Sequence, residues 1–187
     1  SNADFMAGNY RFAGSSSNAV VNQGNIRAAQ GGTVALIAAR IDNSGSISAP
    51  QGNVLMAAGS RVRLDLGGPV QIEVEQGALD ALVANGGAIH ANGGLVYLTA
   101  KAANELTRSA INHSGLIEAQ TLATGERGQV VLLGDAERGR VELAGRIDTQ
   151  AAGGVGGAVD VSAQQVWMQG TASIDTRGSA GGGRVRV

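Results

Sequence analysis

A chain of 187 residues with 30 glycines, 3% aromatic and 16% charged residues lacks the large rings that fill an ordinary globular core, so alanine, valine, leucine and isoleucine must build its interior. Its net charge of -1, with Lys101 the single lysine among 14 basic residues, supplies no basic face of the kind that nucleic-acid binding needs. Without cysteine there are no disulfides or thiolate metal sites, which suits a chain that crosses a membrane unfolded, and no apolar run reaches the roughly 18 residues of a spanning helix.

Ser1-Asn2-Ala3 reads as a scar of tag removal with no cleavable signal segment, and residues 4–187 read as a single domain, a fragment of a longer secretion domain and exoprotein. Asp4 to Phe12 holds both phenylalanines and one of the two tyrosines; it either covers the end of an apolar core or is a preceding coil cut open. From Val21 to Val62 the chain repeats itself. Gly24 and Gly45, Ile26 and Ile47, and Ala28 and Ala49 are each 21 apart, while Val34 and Val54, Leu36 and Met56, and Ala38 and Ala58 are each 20 apart. Short alternating segments at that period, separated by Gly and Asn turns, indicate a solenoid.

Val62-Arg-Leu-Asp-Leu and Val70-Gln-Ile-Glu-Val-Glu then alternate cleanly around Gly67-Gly68-Pro69, as strands with charged outer faces joined by a tight turn. The repeat returns at Ile89 and Val96, each 42 beyond Ile47 and Val54, so the hairpin is expected to occupy one coil of its own. Further copies carry Ile117, Ile147 and Ile174, spaced by 28, 30 and 27 residues, with the turns absorbing the insertions.

Each copy holds strands of four to six residues, too short and too glycine-rich for helices. Stacked coils bury what a single copy cannot, with two inward columns: Ile26, Ile47, Ile89, Ile117, Ile147, Ile174, and Val34, Val54, Val96, Val130 or Val131, Val159, Val185. The predicted fold is all-β, a right-handed parallel β-helix of roughly eight coils and about 40 Å with a short extra hairpin. Asn22, Asn43 and Asn85 align before their glycines, either as a stacked amide ladder or as residues tolerant of left-handed turns.

Val20-Val-Asn-Gln-Gly-Asn-Ile, Gly31-Gly-Thr-Val-Ala-Leu-Ile-Ala, Asn43-Ser-Gly-Ser-Ile-Ser-Ala and Gly52-Asn-Val-Leu-Met-Ala-Ala-Gly, in that order and spacing, resemble the N-terminal secretion domain of filamentous haemagglutinin-like exoproteins, the passengers of two-partner secretion in Gram-negative bacteria. The similarity runs from about Asp4 to the end. It implies a right-handed β-helix, export through an outer-membrane transporter to the medium or cell surface, and a role of the full-length protein in adhesion to a host-cell or glycan receptor. The family's Asn-Pro-Asn motif near the mature N-terminus has no match in the chain. The same resemblance accommodates a parent that is a contact-dependent toxin or a haem-acquisition exoprotein.

Chemistry concentrates in the positions that follow the column isoleucines: Arg27, Ser48, His90, Glu118, Asp148 and Asp175. Glu118, Asp148 and Asp175 on consecutive copies form an acidic stripe of the kind a carbohydrate-active β-helix enzyme uses, although Arg146 and Arg177 lie close enough in sequence to neutralise it. A cation bridging Asp148 and Asp175 would need more ligands than these two, and Gly153-Gly-Val-Gly-Gly-Ala matches half of a calcium-binding nonapeptide but has Ala158 where its aspartate belongs. His90 and His113 read as surface histidines without a third metal ligand. Arg138, Arg140, Arg146, Arg184 and Arg186 are expected to gather near the C-terminal end, where they can touch sulfated glycans. No cofactor and no catalytic residue is expected; the reading is of a non-enzymatic, secreted or surface-exposed exoprotein.

Overall fold

The computed structural model describes Ala3 and residues 6–187, and every named element is a strand. In chain order these are β1 (Asn9–Ala13), then a first rung of β2 (Ala19–Asn22), β3 (Asn25–Arg27) and β4 (Thr33–Ala38), and a second of β5 (Arg40–Asn43), β6 (Ser46–Ser48) and β7 (Asn53–Ala58). The hairpin strands β8 (Arg61–Asp65) and β9 (Gln71–Gln76) follow. The third rung is β10 (Leu82–Asn85), β11 (Ala88–His90) and β12 (Leu95–Ala100), and the fourth is β13 (Ser109–His113), β14 (Leu116–Glu118) and β15 (Gln129–Gly134). The fifth is β16 (Gly139–Leu143), β17 (Arg146–Asp148) and β18 (Ala158–Ser162), and the last is β19 (Gln165–Met168), β20 (Ser173–Asp175) and β21 (Arg184–Arg186). Corresponding strands of successive rungs pair in parallel, giving three six-stranded sheets, an arrangement consistent with a parallel solenoid.

Both predicted columns are present in register. Ile26, Ile47, Ile89, Ile117, Ile147 and Ile174 are successive partners, as are Val34, Val54, Val96, Val130, Val159 and Val185, so Val130 rather than Val131 points inward. A third column completes the core with Val20, Ile41, Val83, Ile111, Val141 and Val166. Column residues of the middle rungs are fully buried, whereas Ile26 and Ile174 at the two ends are only partly covered.

The coil count differs from expectation. β11 pairs directly with β6, so the 42 residues between Ile47 and Ile89 are one rung plus an insertion. There are six rungs, about 24 Å from first strand to last, not eight coils and about 40 Å. The hairpin lies outside the stack: β8 pairs antiparallel with both β9 and β1. Its alternation gives Val62, Leu64, Ile72 and Val74 to one face, which packs on the outward Leu55 and Ala57 of β7 and on Ile37, Leu95 and Tyr97 as a second apolar core. The aromatic segment is likewise not an end cap, because β1 is the outer strand of this small sheet and Tyr10 joins the second core while Phe12 remains exposed. Phe5 lies outside the described residues.

The corner between the first and second sheets is drawn tight by glycine. A Cβ at Gly87 would stand 2.0 Å from the carbonyl oxygen of Gly45, and one at Gly115 2.0 Å from that of Gly87, so adjacent rungs approach there as only a residue without a Cβ permits.

Candidate functional site

Stacking in register turns a residue type recurring at one position into a line along the surface. The line after the isoleucine column runs Arg27, Ser48, His90, Glu118, Asp148 and Asp175, in that pairing order, so the acidic stripe exists as a row on the second sheet. Two residues further along lie Asn92, Gln120, Gln150 and Arg177, and these bind the acids. Asn92 Nδ2 donates to Glu118 Oε1 at 2.8 Å, and His90 Nδ1 lies 3.7 Å from the same oxygen.

Asp148 is 5% exposed although it faces outward, because its neighbours cover it. Its Oδ2 accepts from Arg146 Nη2 at 2.8 Å, Gln120 Nε2 at 3.3 Å and Gln150 Nε2 at 3.4 Å, and its Oδ1 accepts the Gln150 backbone N–H at 3.0 Å. Asp175 takes a two-pronged guanidinium, with Arg177 Nη2 at 2.6 Å from Oδ2 and Nε at 2.9 Å from Oδ1, while Gln150 Nε2 donates to Oδ2 at 2.8 Å. The Arg177 hydrogen bond holds the Asp175 carboxyl below its ordinary range, and Arg146 and Arg177 are pushed up by their carboxylate partners. A general acid must keep its proton near neutral pH, which at Asp175 demands the opposite shift. The stripe is thus a ladder of satisfied carboxylates, chemically suited to holding adjacent rungs together.

The five arginines do not gather. Arg140 lies on the first sheet, Arg146 on the second, Arg184 and Arg186 on the third, and Arg138 in the turn before β16. Each has an acid close by: Glu137 at 2.9 Å for Arg138, Glu142 at 3.2 Å for Arg140, Asp148 for Arg146, and Asp160 at 3.0 and 2.9 Å for Arg184 and Arg186. Arg140 also sits 3.7 Å over the ring of the exposed Trp167.

The polar feature that sequence reasoning placed wrongly is inside. His113 is 1% exposed, not a surface histidine. It follows Asn22, Asn43 and Asn85 in one inward line, two residues beyond the third column, and the line ends in Leu143 and Met168. Asn22 Nδ2 donates to Asn43 Oδ1 at 2.7 Å, Asn43 Nδ2 to Asn85 Oδ1 at 2.7 Å, Asn85 Nδ2 reaches His113 Nδ1 at 3.2 Å, and His113 Nε2 is 3.1 Å from the Arg146 carbonyl. An amide donor at Nδ1 and a carbonyl at Nε2 select the neutral tautomer with its hydrogen on Nε2. Burial lowers the His113 pKa from its ordinary 6.5, against the two hydrogen bonds. Of the two readings of the asparagines, the amide ladder is the one observed; among the described non-glycine residues Gln51 has positive φ. The sequence signal was the shared pattern Val20-x-Asn22, Ile41-x-Asn43, Val83-x-Asn85, Ile111-x-His113.

Among the described residues no group of three or more His, Asp or Glu side chains is disposed to hold a metal ion, and no helix is long and apolar enough to cross a membrane. No protein-family model matches the chain, and no curated protein matches it significantly.

Proposed function

We propose that this chain is a right-handed parallel β-helix from a large exoprotein of the filamentous haemagglutinin-like kind, exported by an outer-membrane two-partner transporter and acting, in its full-length form, as a non-enzymatic adhesin. The observation that carries the reading is that the four quoted motifs, from Val20 to Gly59, are the strands and corners of the first two rungs, so the resemblance and the stacking rest on the same residues. Exclusion of cysteine agrees with passage through a pore in an unfolded state. The rod supplies length and regular polar faces, and its acids serve rung-to-rung cohesion, which favours a display role over hydrolysis.

The test is export. The parent gene is expressed with its transporter in a Gram-negative host, with and without residues 20–62, and the medium is assayed for the passenger. Loss of extracellular protein on deletion is expected; equal secretion of both forms overturns the assignment. Incubating the purified chain with a polysaccharide panel should release no reducing ends, and release abolished by Asp148→Asn would transfer the stripe to an enzyme.

A further inference from the structure

The small antiparallel sheet leaves one strand edge open beside an apolar floor. The Leu66 N–H donates to the Gly8 carbonyl and the Gly14 N–H to the Ser60 carbonyl, so in the register of β1 with β8 Val62, Leu64 and Leu66 turn their backbone groups toward β1, while the Ser60 N–H, before the bulge at Arg61 and Val62, donates to the Gln76 carbonyl of β9. Arg63 and Asp65 therefore face β9, opposite Glu73 and Gln71. Antiparallel alternation then turns the N–H and C=O groups of Ile72 and Val74 away from β8. Lys101 Nζ, 3.4 Å from the Val74 carbonyl, is consistent with that direction.

Along this edge run two adjoining cavities of about 480 and 280 Å³ that share Ile72, Glu73 and Tyr97. Their floor is the outer face of the third sheet, with Leu95, Tyr97 and Thr99 of β12 and the half-exposed Leu133 of β15. Beyond the floor stands the turn Asp135–Arg138. The groove follows the six residues of β9, about 20 Å of extended chain.

We propose that this groove binds an extended polypeptide of alternating basic and apolar residues, which adds to β9 as a further strand. The chemistry of the occupant is read from the strand already on the other side. β8 offers Arg61-Val62-Arg63-Leu64, with Val62 and Leu64 opposite Val74 and Ile72 and with Arg63 opposite Glu73. An incoming strand of the same pattern lays its apolar side chains on Tyr97 and Leu133 and its basic ones beside Glu73 and Glu75 on the solvent face. A second copy of β9 is disfavoured because it would bring those carboxylates against their own kind.

The purified chain is titrated into a fluorescently labelled hexapeptide Arg-Val-Arg-Leu-Arg-Val and its Glu-for-Arg counterpart, read by anisotropy. Saturable binding of the basic peptide is expected, weakened about tenfold or more by the surface double reversal Glu73→Arg/Glu75→Arg, which should instead take up the acidic peptide. Strand addition is separated from simple charge attraction by two further peptides N-methylated on alternate residues: one set should abolish binding and the other preserve it. Equal binding of the two methylated peptides, no saturable binding of the basic peptide, or a concentration-dependent dimer of the chain that excludes it would each overturn the proposal.

Discussion

The fully buried Asn43 is the residue on which the interior polar line turns, since its amide both donates to Asn85 and accepts from Asn22. Replacing it with leucine, which the fifth rung carries in the same line as Leu143, leaves the Asn22 amide hydrogen and the Asn85 oxygen without partners. Each orphaned group costs about 1–3 kcal/mol, so Asn43→Leu should lower the urea midpoint far more than Ser44→Ala on the exposed side of the same turn. His113 adds a pH dependence. Its folded pKa is depressed below 6.5, so the unfolded chain binds more protons; its contribution to stability is complete above that value and declines as the pH falls toward the folded pKa. Chemical unfolding measured from about pH 8 to about pH 5 should show this loss, and His113→Asn, which continues the ladder without a titrating ring, should flatten it.

At the scale of the strand, inward and outward neighbours differ by one residue and by everything that follows from burial. Ile89 is fully buried between Ile47 and Ile117, while Ser48 stands half-buried on the outer row. Ile89→Asp should cost several kcal/mol and Ser48→Asp within about 0.5 kcal/mol; equal melting temperatures would sink the register. Corners discriminate in the same way. An added methyl at Gly24 meets nothing within 4 Å, whereas at Gly87 it meets the Gly45 oxygen at 2.0 Å, so Gly24→Ala should be tolerated and Gly87→Ala should force the rungs apart at a cost of about 1–3 kcal/mol or more. These strands were legible because the isoleucine and valine columns recur through every rung. The hairpin was misplaced because its insertion happens to make the step from Ile47 to Ile89 twice the basic period, and counting residues cannot distinguish an inserted excursion from an extra rung. The dispersal of the arginines was hidden for a related reason: Arg140 and Arg146 are near in sequence, but the corner between them sends the next strand to another sheet, and Arg184 and Arg186 follow on the third sheet of the next rung.

Over the whole molecule, a stack of rungs couples nearest neighbours and frays from its ends. The hairpin breaks that rule on one side. Its apolar face touches Ile37 of the first rung, Leu55 and Ala57 of the second, and Leu95 and Tyr97 of the third, binding three rungs laterally. Leu64→Ala should therefore cost about 2–5 kcal/mol and reduce hydrogen-exchange protection throughout β4, β7 and β12 together, leaving β18 and β21 little changed. In the unaltered chain β19–β21, with Trp167, Met168 and Val185 exposed, should exchange fastest. The interior ladder spans the first four rungs by a different route, and it has a direction. All four of its hydrogen bonds point the same way, from Asn22 toward the Arg146 carbonyl, which gives the rod a line of aligned side-chain dipoles down its axis. A proton on Nδ1 of His113 would oppose the amide hydrogen of Asn85, and the three amides can restore their bonds only by turning over in concert. Acidification at the fourth rung would then reverse the polarity of the line as far as the first, and the side-chain amide resonances of Asn22 should shift with the titration of a ring three rungs away.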